Sequence, residues 1–141
     1  MDMTQTVAGS TTDRAQMITG VARIIMGLCF MVFGLTKLLG IAGTIGLIST
    51  KLPFPTFVFW LAVVLETGLG LCLVLGYKAR YAAAFFAFYV TFIAFVFHGV
   101  PGDRGQRDQA LKNFVIAAGF LYVAAIGPGA FAVENGRRKA G

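Results

Sequence analysis

Four long apolar blocks, separated by short breaks rich in polar residues, glycine and proline, set the rhythm of this chain. The least interrupted covers residues 54–76 and carries one charge, Glu66, near its middle. A helix needs roughly 20 apolar residues to cross about 30 Å of hydrocarbon, so this block predicts a transmembrane helix. A carboxylate at that depth costs about 2.5–3.5 kcal/mol and is expected to face a partner or a cavity, not lipid. The helical spacing agrees. Ala62, Glu66, Gly70 and Leu73 share one stripe, and its small residues let a second backbone come close.

The same periodicity predicts three more crossings. The first covers residues 15–39, after a polar, Thr-rich tail over 1–14. Its charges are Arg23 and Lys37; the thirteen residues between them make about 20 Å of helix, so their heads reach toward opposite interfaces. Arg23 also interrupts what would be the apolar core of a signal peptide, and no clear small-residue cleavage site follows, so this helix reads as uncleaved. Arg23, Gly27, Met31, Gly34 and Lys37 form a second stripe that suits contact with other helices. Residues 40–55, with Gly40, Gly43, Gly46 and the run Lys51-Leu52-Pro53-Phe54-Pro55, predict a short interfacial segment.

The third crossing covers 78–98. Tyr81, Tyr89 and many phenylalanines suit its lipid side, while Arg80, Ala83, Ala87, Thr91, Ala94 and His98 make a third seam. After a polar loop over 99–109, the last crossing covers 110–127, with Lys112 and Asn113 in its first turn and Gly127-Pro128-Gly129 as its stop. Asn113, Ala117 and Ala124 give it a partial fourth seam, interrupted by Leu121. The expected fold class is all-α: an integral membrane four-helix transmembrane bundle with a short interfacial segment between helices 1 and 2. It forms one domain over 15–129, followed by a basic tail over 130–141.

Composition narrows this further. With 141 residues, 57% of them hydrophobic and 13% charged, the chain has room for the crossings and short loops but for no separate soluble catalytic domain. The net charge of +6 does not point to nucleic acid, because the basic residues stand singly along apolar blocks or at their ends. Counted beside the crossings, Arg14, Arg23, Lys78, Arg80, Arg137, Arg138 and Lys139 fall on one side; Lys37, Lys51, Arg104, Arg107 and Lys112 fall on the other. Seven against five follows the positive-inside bias with both termini in the cytoplasm.

On that topology Arg23 and Arg80 lie toward the inner face, and Lys37, His98, Lys112 and Asn113 form an outer-face polar group. Glu66 lies between them. Arg23, Glu66 and Arg80 are the expected buried polar cluster, and an Arg23–Glu66 pair that fixes helix register is the simplest reading. The sharper reading gives Glu66 a proton-handling or ligand-binding role. His98 is either a proton donor near the outer surface, imidazole being suited to proton exchange at neutral pH, or a helix-ending histidine bonded to the loop. Glu66 and His98 are thus the catalytic candidates. Lys37 and Lys112 either make a positive pocket for an anion or a quinone carbonyl or reach out to headgroups.

No metal site is expected, since the chain has one histidine and its two cysteines, Cys29 and Cys72, lie in separate crossings off the polar stripes. Haem held by His98 and a methionine stays open as a weaker pattern. No phosphate loop, dinucleotide glycine pattern, nucleophile elbow or His-Glu-x-x-His occurs.

Several motifs in order resemble the DoxX family. They are Arg23, Gly34-Leu35-Thr36-Lys37-Leu38, Ala42-Gly43-Thr44, Leu52-Pro53-Phe54-Pro55, Glu66 followed by small residues, Arg80, Phe97-His98, Leu111-Lys112-Asn113 and Gly127-Pro128-Gly129. The likeness runs from Arg23 to Gly129. It implies a four-helix protein of the bacterial inner membrane, similar to the quinone-linked membrane subunit of an archaeal thiosulfate:quinone oxidoreductase. It also carries over Arg23, Lys37, Glu66, Arg80, His98, Lys112 and Asn113 as pattern residues. Some members are associated with membrane oxidoreductase complexes of thiol and oxidative-stress defence, although the missing cysteine pair argues against direct thiol–disulfide chemistry here.

The function this implies is an accessory or quinone-linked subunit of a membrane oxidoreductase system, an enzyme only together with a partner. The alternative is a non-enzymatic scaffold or transport-related bundle with structural charges. Quinone is the one cofactor implied. The expected partners are the lipid bilayer and a soluble or membrane oxidoreductase, with a homo-oligomer left open.

Overall fold

The first apolar block folds into a helix much longer than a bilayer is thick. The computed structural model describes residues 3–99 and 102–139, with side chains over 11–99 and 102–136; the side chains of the expected basic run Arg137, Arg138 and Lys139 lie outside the described residues. Helix α1 covers Met3–Thr36, 34 residues, or about 51 Å. It begins well before the expected residue 15, because the segment ahead of it contains no proline and each added residue extends a helix already nucleated by the apolar block.

A 3-10 turn over Lys37–Gly40 breaks the first span. There follow α2 (Ile41–Ser49), α3 (Pro55–Leu75), α4 (Ala79–His98), α5 (Arg104–Ile126) and α6 (Val133–Lys139). Among the described residues four stretches, Thr11–Ser49, Pro55–Leu75, Ala79–His98 and Arg104–Ile126, are long and apolar enough to cross a membrane. No strand occurs among the described residues.

Local chemistry sets the helix ends. Proline at the first position of α3 has no N–H to leave unpaired. At the other end Gly76 is left-handed (φ +67). There Tyr77 N–H bonds Cys72 O at 2.9 Å and Gly76 N–H bonds Leu73 O at 3.1 Å, the double bond pattern of a Schellman end. Helix α5 starts at Arg104 and not at the expected 110, because the Asp103 carboxylate accepts the Gln106 N–H at 3.2 Å. That cap lies inside a stretch whose composition reads as loop.

The helices pack mainly as two pairs, α1 with α3 and α4 with α5. In the first pair the backbones nearly touch: a Cβ added at Gly27 would sit 2.7 Å from Gly70 O, and one at Gly70 would sit 2.9 Å from Gly27 O. Only glycine allows that approach. In the second pair Ala83 and Ala87 of α4 are buried in one core with Ala117, Phe120 and Val123 of α5. The pairs are joined by Phe30, Phe86 and Phe120, with ring centroids 4.5, 5.1 and 4.9 Å apart. Each such contact adds about 0.5–1.5 kcal/mol beyond buried area. The short segment after the first crossing also contributes to the core, since Ile48 of α2 is buried against Phe59 and Val63 of α3.

Candidate functional site

Three charged residues expected to form one cluster are separated by the fold. Gly27 faces Gly70 and Gly34 faces Thr67, so α1 and α3 run antiparallel in a register that brings Arg23 level with the last turn of α3. Arg23 is fully buried (0% exposed). Its Nη1 donates to Leu73 O and Val74 O, Nε to Pro128 O at 2.7 Å, and Nη2 to Ala130 O and Phe131 O. Among the described residues its hydrogen-bond partners are all main-chain carbonyls, and the Glu134 carboxylate acts on it through space. The carbonyls of 128–131 belong to a strap after α5 whose backbone is left-handed at Gly127, Gly129 and Phe131. The expected Arg23–Glu66 pair is therefore absent, and the register is the reason.

Arg80 is likewise outside any cluster with Glu66. Its side chain is exposed and its Nη atoms donate to Ala125 O and Ile126 O at 3.2 and 3.0 Å. A cation at the carbonyl end of a helix interacts favourably with the helix dipole, so Arg80 caps α5.

Glu66 lies eleven residues into α3 from Pro55, about 16 Å along the axis, and is 3% exposed. Its ion-pair partner is Lys37, whose Nζ donates to Oε2. Its second oxygen, Oε1, accepts the Tyr89 hydroxyl at 2.7 Å. Both carboxylate oxygens are thus bonded, one to a cation and one to a neutral donor. Lys37 does not snorkel to the interface as its spacing from Arg23 suggests, because the helix breaks at this residue and turns it onto α3. Tyr89, expected on the lipid side, is half-buried and turned inward. A signal for it existed: it is the eleventh of the 20 residues of α4, and interfacial tyrosines sit near helix ends.

Lys37, Glu66 and Tyr89 line the polar part of an apolar groove of about 620 Å³ bounded by α2, α3 and α4. Leu52, Val58, Phe97 and Ile93 line it more deeply, and Leu47, Phe57, Leu61, Phe85 and Phe92 line it while remaining exposed. The groove therefore opens sideways, between helices. His98, the last residue of α4, lines it too, and its Nδ1 lies 2.6 Å from Gln106 Oε1 in the first turn of α5. With an amide oxygen as its neighbour Nδ1 donates, and in the neutral ring Nε2 is then the acceptor.

Of the expected outer-face group, Lys37 and His98 share the groove. Lys112 and Asn113, exposed and half-buried on α5, are not part of its lining. Cys29 is exposed and Cys72 half-buried, and both are free.

An apolar groove with a few convergent polar groups is the usual form of a site for a small hydrophobic molecule. Lys37 can donate to a carbonyl, Glu66 can hold or release a proton, and Tyr89 orients Glu66.

Comparison with known proteins places the chain among membrane proteins. The DoxX family model matches residues 18–99. Inner membrane protein YqjF of Escherichia coli (strain K12) is 35% identical over 115 residues, which cover 82% of this chain and 88% of that protein. Inner membrane protein YphA of the same organism is 34% identical over 121 residues, covering 82% of this chain and 86% of that protein. No solved structure matches.

Proposed function

This chain belongs to the DoxX family, and on that premise we propose that it is an inner-membrane accessory subunit whose groove takes a quinone from the bilayer for a partner oxidoreductase. The observation that carries this is a lysine–glutamate–tyrosine group, bonded within itself, lining a laterally open apolar groove. The fit is physical: exposed aromatic and aliphatic walls suit a lipid-soluble ring and tail, while the few polar groups match a pair of ring oxygens. A bound quinone would supply two-electron, two-proton carrier chemistry. Lys37 would bind a ring oxygen through an N–H, Glu66 would hold a proton at its carboxylate, and Tyr89 would keep that carboxylate oriented. His98, held at Nδ1 by Gln106, would exchange protons at Nε2. Both termini would lie in the cytoplasm, with the strap end inward.

One observation favours a scaffold instead: Glu66 is already fully bonded, as a charge that only fixes helix register would be. A titration separates the two readings. The single tryptophan, Trp60, lies on α3 next to the groove residue Leu61. Its fluorescence in detergent should be quenched by a short-tailed benzoquinone, and Glu66→Gln should weaken the apparent affinity about tenfold. Equal affinities, or no saturable quenching, would leave the scaffold.

A further inference from the structure

The opposite end of the bundle holds a second cavity, of about 750 Å³, lined by α1, α4, the end of α5, the strap and α6. Its lining mixes polar and apolar surface about equally, where the first is almost wholly apolar. Arg80 and Glu134 both line it, yet they form no ion pair with one another. Arg80 spends two N–H groups on carbonyls and has three more. The half-buried Glu134 carboxylate has no direct hydrogen bond or ion pair among the described residues, and it feels the Arg23 guanidinium only through space. Gln16 and Asn135 add neutral polar groups to the lining.

We propose that this cavity binds the zwitterionic head group of a phospholipid carrying a primary ammonium, of the phosphoethanolamine type. The phosphodiester lies on Arg80 and the ammonium on Glu134. A simple anion would meet Glu134, and a simple cation would meet Arg80, whereas a ligand with both signs matches both. A primary ammonium donates hydrogen bonds to a carboxylate, which a trimethylated one cannot. The acyl chains also have a path. Ala84 and Ala124 line the cavity on α4 and α5, about 8 and 3 Å inward from the helix ends. Ala84 is exposed, so a small side chain borders the cavity where it meets lipid. Neighbouring Tyr81, 78% exposed, is an aromatic of the kind that sits at the headgroup level.

The test is native mass spectrometry of the full chain released from mixed micelles with equal amounts of phosphatidylethanolamine, phosphatidylglycerol and phosphatidylcholine of matched chains. The native protein should retain the ethanolamine lipid about tenfold better than the other two. Glu134→Gln, which keeps the side chain's size and removes its charge, should abolish that preference while the chain still unfolds cooperatively, and Ala84→Phe should lower retention of every lipid by adding bulk at the edge of the cavity. Soluble phosphoethanolamine at millimolar concentration should not displace the lipid. No head group preference in the native protein, a preference unchanged in Glu134→Gln, or displacement by the soluble head group would each overturn the assignment.

Discussion

Arg23 and Lys37 lie fourteen residues apart on one stripe of the first span, and the molecule neutralises them in opposite ways. Arg23 donates its hydrogen bonds to main-chain carbonyls from the end of α3 and from the strap, with the Glu134 carboxylate acting on it only through space. Lys37 is held by a carboxylate that a tyrosine steadies, and its side chain is still 27% exposed beside a groove. The difference teaches what each charge is for. Main-chain partners are fixed by the fold and cannot be handed to a ligand without unravelling helix ends. Side-chain partners beside an open groove can exchange one bond for another at little cost.

The contrast breaks most sharply at Arg23. Arg23→Met removes the donor to five carbonyls and unpins the strap, with an expected loss of about 3–5 kcal/mol read as a fall in thermal unfolding temperature in detergent. A variant as stable as the native protein would show that the carbonyl enclosure is not structural. Glu66→Gln should cost less, about 1–3 kcal/mol, since the amide keeps an oxygen for Tyr89 and the partly exposed Lys37 can turn into the groove. Its unfolding curve should stay cooperative while quinone quenching weakens. Smallest of all, Tyr89→Phe removes one neutral donor, about 1 kcal/mol of stability in the same melt. A Tyr89→Phe loss as large as that of Arg23→Met would make the groove group structural as well.

Much of this was legible in the amino-acid order. The crossings follow from apolar length, and the seams from small residues at helical spacing: Gly27 and Gly70 do meet, and Ala83 and Ala87 are buried. That Glu66 faces protein follows from the cost of its charge in lipid. Its partner was not legible from depth alone, since both Arg23 and Lys37 have side chains long enough to be candidates. The glycines held the missing information. Once Gly27 is set against Gly70 and Gly34 against Thr67, Glu66 falls opposite Lys37 and Arg23 passes to the end of α3. The break at Lys37–Gly40 has no proline to announce it, so the first helix read as continuous through Leu39. Arg23's enclosure depends on a strap whose left-handed residues include Phe131, which no propensity marks.

The groove's claim to be a ligand site is tested most directly by photolabelling native membrane vesicles with an azido-benzoquinone carrying an isoprenoid tail and mapping the adducts. Label concentrated on α3 and α4 around Phe57, Leu61 and Phe92, and strongly reduced in Glu66→Gln, is the expected result. Label spread evenly over the lipid-facing surfaces of all the spans, and indifferent to Glu66, would contradict it.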